Sequence, residues 1–136
     1  MTETVTYSAA CQACGAEAEW CGVQALVGEA LRWDVETTCP ACGFALAVCD
    51  GDLSDETRGR LLSAHGRARP RVSPPTRNAA VMRVLRTELG LGLDGVKAVL
   101  DQVPTGRYSG TLPEMELLAR TLRASGIEAS ASRAVE

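Results

Sequence analysis

Cys11-Gln-Ala-Cys14-Gly15 and Cys39-Pro-Ala-Cys42-Gly43, two copies of one short pattern separated by 24 residues, decide how the N-terminal part of this 136-residue chain folds. A two-residue gap lets both sulfurs of a pair reach one ion, and the following glycine accepts the left-handed turn that points backbone N–H groups at the thiolates. The spacing therefore predicts a structural zinc ion held by Cys11, Cys14, Cys39 and Cys42. Iron in a rubredoxin-like site uses similar knuckles and would mean electron transfer. A reactive dithiol needs a low-pKa thiol, which acidic surroundings oppose. Four protein ligands leave no open position for substrate, so a catalytic ion is disfavoured.

Period-2 alternation surrounds the knuckles. Leu31, Trp33 and Val35 alternate with Arg32, Asp34 and Glu36, and Phe44, Leu46 and Val48 alternate with alanines. Val5 and Tyr7 begin another such run, and Glu17 to Val27 reads as a further strand with Gly22 as a bulge. Residues 1–52 thus read as a zinc ribbon of short antiparallel strands. Of the remaining cysteines, Cys21 shares parity with Glu17 and Glu19, and Cys49 lies off the Phe44/Leu46/Val48 face. Both read as unligated thiols near the sheet. A second metal shared with His65, the single histidine, would be short of ligands.

Beyond the ribbon, Ser54 caps a predicted helix that ends near His65, with Asp55 and Glu56 at its positive end. Residues 53–66 read as a connecting helix. The segment Arg67-Ala-Arg-Pro-Arg-Val-Ser-Pro-Pro-Thr-Arg77 holds three prolines and four arginines, so 67–77 reads as a semi-rigid linker. The period then turns helical. Ala80, Val81, Val84, Leu85 and Leu89 share one face before Gly90. Val96, Val99, Leu100 and Val103 share another before Pro104, and residues 106–111 read as a short strand. Thr111-Leu-Pro-Glu114 is a capping box for a third helix ended by Gly126, and Ile127, Ala129 and Ala131 alternate as a closing strand.

Charge also divides the chain into three territories. Residues 1–57 carry ten acids and one base; residues 58–86 carry eight arginines and no acid; residues 87–136 carry seven acids and five bases. The balances are −9, +8 and −2, which sum to the net charge of −3. An acidic ribbon with a zinc tetrathiolate is a poor phosphate binder, so nucleic-acid contact falls to Arg58–Arg86. That stripe could also steer an acidic protein surface, the ribbon of this chain included. The N-terminus lacks the basic and apolar regions of a secretory signal, and no apolar run reaches the roughly 18 residues of a membrane helix. A cytoplasmic protein without membrane contact is expected, its thiols kept reduced for metal.

The stretch from Asn78 to Leu122, NAAVMRVLRTELGLGLDGVKAVLDQVP…TLPEMELLARTL, resembles the C-terminal domain of the bacterial ribosomal stalk protein of the large subunit. The resemblance rests on Gly90-Leu91-Gly92-Leu93 followed by Val96 and Lys97, on Pro104, and on the capped third helix and closing strand. It spans about residues 78–131. It implies a small α/β domain over 78–132, with three helices packed on a short sheet, which docks translational GTPases through its first two helices. On that pattern Met82, Arg83, Arg86 and Lys97 are partner-binding residues. The plainer alternative makes Arg83 and Arg86 ordinary solvated helix charges. Asn78 and Asp94 stand where the family usually has lysine, the family's opening strand would precede Asn78 where the linker is read, and the ribbon replaces the family's dimerising N-terminal domain.

No Ser/His/Asp set, no Cys/His pair and no phosphate-cradling glycine loop can be assembled, so no enzyme and no small-molecule substrate are expected. The reading is an α+β, non-catalytic zinc-binding adaptor whose partner is a translation GTPase or another machine component. Its alternative is an RNA- or DNA-binding protein that uses Arg58–Arg86. The stalk domain's fold also serves protease adaptors, a further analogy.

Overall fold

The computed structural model describes residues 1–72, 78–90, 92, 95, 102–103 and 107–133. It is a mixed α+β chain that divides into two compact units, Met1–His65 and Gly66–Glu136.

The N-terminal unit is a four-stranded antiparallel sheet in sequence order: β1 (Thr2–Ala10), β2 (Glu17–Val27), β3 (Ala30–Thr38) and β4 (Ala45–Val48). Alternation fixes the register, because a slip by one residue would turn every apolar side chain outward. Val5 pairs with Gly22 and Gly22 with Val35 on the inner face; Thr6, Cys21, Glu36 and Ala47 form a cross-strand row on the outer one. Gly22 is not the expected bulge. The ladder runs through it without interruption, and a Cβ there would overlap the Trp33 indole. The glycine is needed for close approach of an aromatic ring, which a sequence pattern shows no differently from a bulge.

Helix α1 (Asp55–His65) starts as expected: Ser54 Oγ accepts the Thr57 N–H at 3.1 Å. It is more than a connection. Leu61, fully buried, packs with Val5 and Trp33 to form the second half of this unit's core. The boundary therefore falls after His65, and the helix belongs to the N-terminal unit.

The C-terminal unit comprises β5 (Ala68–Val72), α2 (Asn78–Leu89), α3 (Leu112–Ala124) and β6 (Ala129–Arg133). The strands pair antiparallel, first with last. This corrects the linker reading of 67–77, since residues 68–72 form a strand in spite of Pro70. Ala68 exchanges both backbone bonds with Gly110 at 2.8 and 3.0 Å, so the main chain of the even residues points away from β6. Pro70 thus lacks an N–H only on that side, and the ladder to β6 loses nothing. Residues 73–77 lie outside the described residues.

Val84 and Leu85 of α2 pack with Leu118, Ala119 and Leu122 of α3, with Ile127, and with Ala129 of β6. The capping box of α3 is complete: Glu114 N–H donates to Thr111 Oγ1 at 3.3 Å and Thr111 N–H to Glu114 Oε1 at 2.9 Å. Gly126 ends this helix in the left-handed region, at φ 83°. The expected middle helix over Val96–Val103 lies almost wholly outside the described residues, as do Leu91 and Leu93 of the glycine-leucine turn. The expected strand over 106–111 is reduced, among the described residues, to the bridge at Gly110. No helix among the described residues is long and apolar enough to cross a membrane.

Candidate metal centre

The two knuckles are built alike. Gly15 N–H returns to Cys11 O at 2.9 Å and Cys11 N–H bonds Ala16 O at 2.7 Å; Gly43 to Cys39 and Cys39 to Phe44 repeat both distances. Gly15 and Gly43 each adopt φ 77°, the conformation that the sequence demands of them. The first knuckle closes the β1–β2 connection and the second the β3–β4 connection, so sheet pairing brings both to one end of the sheet.

There the sulfurs of Cys11, Cys14, Cys39 and Cys42 all lie within 4.8 Å of one another. The Cys11–Cys42 and Cys14–Cys39 separations are 3.7 and 3.6 Å. Tetrahedral coordination at a metal–sulfur distance of about 2.3 Å places neighbouring sulfurs about 3.8 Å apart. The four residues can therefore hold one metal ion with little rearrangement.

The cluster has a dry side and a wet side. Cys11 and Cys39 are buried, 4% and 1% exposed, whereas Cys14 and Cys42 are open to solvent. The inner pair packs with Ala18 and Trp20, flanked by Phe44 and Leu46. Trp20 also stacks on Tyr7, with ring centroids 6.4 Å apart. Trp20 escaped the sequence reading; the usable signal was parity, since Cys21 outside puts Trp20 inside, on the face that carries the knuckles.

Four thiols this close cannot all ionise unaided. The Cys14 backbone N–H, assisted by Ala13 N–H at 3.3 Å, draws the Cys11 thiol down to about 7 against the cost of its burial. Cys42 goes the other way. The Phe44 backbone N–H favours its thiolate, but partial desolvation of the sulfur and the neighbouring sulfurs of Cys14, Cys11 and Cys39 push its thiol up to about 12. One negative charge is thus welcome and the later ones are resisted. A bound cation removes that resistance.

Cys21 is half-buried on the outer face of β2 and Cys49 exposed beyond β4. His65 Nε2 lies 2.6 Å from Thr4 O. None of the three joins the cluster, and no other group of three or more His, Cys, Asp or Glu side chains converges among the described residues.

Of the expected partner face, Arg83 and Arg86 are exposed on α2 and Met82 is partly buried against the core. With Ala79, Thr87 and Gly90 they line a groove of about 640 Å³. Lys97 lies outside the described residues. The arginine run is divided between the units. Arg60, on α1, sits 5.0 Å from the Tyr7 ring centroid and 3.3 Å from Glu56. Arg69 and Arg71 stand on the face of β5 opposite the buried Ala68 and Pro70, paired with Ser132 and Ser130. Arg77 is outside the described residues.

No protein-family model matches the chain, and neither curated proteins nor solved structures give a match.

Proposed function

We propose that the chain is a non-catalytic interaction protein in which one structural zinc ion maintains the N-terminal ribbon and the C-terminal unit engages a protein partner. The observation that carries the metal half is the convergence of four sulfurs within 4.8 Å of one another, two of the separations being 3.6 and 3.7 Å. Four thiolates in a tetrahedral set suit zinc as a structural ion, and iron is the competing ion for the same ligands. Native mass spectrometry of the full chain tests this. One zinc per chain is expected, and iron or an empty chain overturns it.

The partner half rests on the α2 groove, where Met82 supplies an apolar contact and Arg83 and Arg86 flank it with charge. The order β5, α2, α3, β6, with first and last strands paired, is compatible with the stalk-like reading and supplies a strand before Asn78. On this reading the partner is a translation GTPase or another machine component with an acidic docking face, and Lys97 extends the same surface. Binding of purified ribosomal GTPases to the wild type and to an Arg83→Glu/Arg86→Glu variant tests it. Loss of at least tenfold in affinity is expected; unchanged binding removes this face.

A second reading, RNA held by the arginines, draws support from the common face of Arg69 and Arg71 beside serines rather than acids. It requires affinity for a single-stranded RNA to fall steeply with salt, by about 0.7 in log K per log unit of salt for each phosphate contacted. A flat salt response discards it.

A further inference from the structure

Strand β1 is an edge of the four-stranded sheet, and hydrogen bonds at both of its ends show which of its groups face outward. Leu26 N–H donates to Met1 O and Cys11 N–H to Ala16 O, so the odd residues of β1 bond to β2. The main-chain N–H and C=O of Thr2, Thr4, Thr6 and Ser8 consequently point off the sheet. Thr4 O is met by His65 Nε2 at 2.6 Å, as this parity requires. The main-chain groups of Thr6 and Ser8 have no such partner on that side among the described residues.

This edge, nine residues long, lacks proline and lysine and is capped by His65 only at Thr4, so its protection is incomplete at Thr6 and Ser8. It does not face open solvent throughout. Glu56, Gly59, Arg60, Ser63 and Ala64, one face of α1, run beside Val5, Thr6 and Tyr7 and enclose a groove of about 700 Å³ with them. Three of the five helix residues are small. A Cβ at Gly59 would meet nothing within 4 Å.

We propose that this groove binds an extended, basic segment of a partner protein by strand addition to β1. The outward main-chain groups of Thr6 and Ser8 supply the ladder, and the small residues of α1 leave space for every second side chain of the ligand. Charge selects the ligand class. Residues 1–65 carry ten acids and three arginines, a balance of −7. Within the unit Arg32 is engaged with Asp34, and Arg60 with Glu56 and Tyr7. The site is separate from the α2 groove and does not depend on the stalk-like reading.

The test uses the metal-loaded full chain and a synthetic peptide, acetyl-Arg-Val-Thr-Val-Arg-Val-Thr-amide. Amide exchange at Thr6 and Ser8 should slow at least tenfold on saturation, while exchange in the C-terminal unit stays unchanged. The peptide N-methylated at alternate residues should not bind, and its glutamate analogue should bind at least tenfold more weakly. Thr6→Pro removes only an outward N–H, so it should keep the zinc and the fold but abolish protection. Gly59→Leu should fill the groove and weaken binding at least tenfold. Absence of binding at millimolar peptide, protection elsewhere in the chain, or binding indifferent to both substitutions overturns the proposal.

Discussion

The two units answer the problem of small size in opposite ways. The C-terminal unit buries a continuous cluster in which Val84, Leu85, Leu118, Leu122 and Ile127 interlock between two helices and a strand pair. The N-terminal unit is built on strands of nine, eleven, nine and four residues, longer for the first three than the short strands expected, and divides its core in two. Val5, Trp33 and Leu61 close one part under α1; Trp20 and Ala18 close the other around two sulfurs. Two of the four buried members of the second part, Cys11 and Cys39, belong to a set of thiols that resists joint ionisation. On the proposed function, one chain combines a metal-dependent fold with a self-sufficient one, and the difference can be measured.

The largest expected effect is loss of the metal. Structural zinc contributes about 10–16 kcal/mol in small domains, comparable with or above the whole stability of a typical domain. A strong chelator, or Cys39→Ala, should unfold β1–β4 and leave the C-terminal unit folded, read by residue-resolved NMR. Unfolding of both units together would break the comparison. Acid should act in the same direction. Metal binding displaces protons from the thiols, and Cys11, at about 7, joins in only below neutrality. Zinc affinity should therefore fall tenfold or more per pH unit on the way down from pH 8, as competition with a colorimetric chelator would show.

Leu122→Ala, at a side chain 2% exposed, should cost about 2–5 kcal/mol in the C-terminal unit and leave zinc affinity unchanged. Gly22→Ala drives a methyl group into Trp33 and should destabilise the N-terminal unit by about 1–3 kcal/mol in the zinc-loaded protein, measured by urea unfolding. Thr111→Ala removes one half of the α3 capping box and should cost about 1 kcal/mol, confined to the C-terminal unit. A smaller loss for Leu122→Ala than for Thr111→Ala would show that the C-terminal core is not the main source of that unit's stability.

Local chemistry was legible in the residues themselves. The cysteine spacing located the sulfur cluster, the alternation of Leu31, Trp33 and Val35 located β3, and Thr111 with Glu114 located the start of α3. Each signal acts over a few bonds, so a short window contains it. What failed depended on distant neighbours. Pro70 argues against a strand in any window, and only the Ala68–Gly110 bridge shows that its missing donor lies on the harmless side. Gly22 looks like a break until Trp33, on another strand, covers it. The arginines from Arg58 to Arg86 form one stripe in the sequence, yet Arg60 is engaged by Tyr7 and Glu56 while Arg69 and Arg71 stand on a separate sheet.

By itself, then, the sequence determined where the four thiols are, which residues alternate and where α1 and α3 begin, because short-range stereochemistry decides each of these. Only the tertiary structure decided that the thiols meet within 4.8 Å, that β5 exists, and that one edge of β1 is left open beside α1. Those three are pairings between residues far apart in the chain, and a pairing is settled by the partner that the fold brings to it.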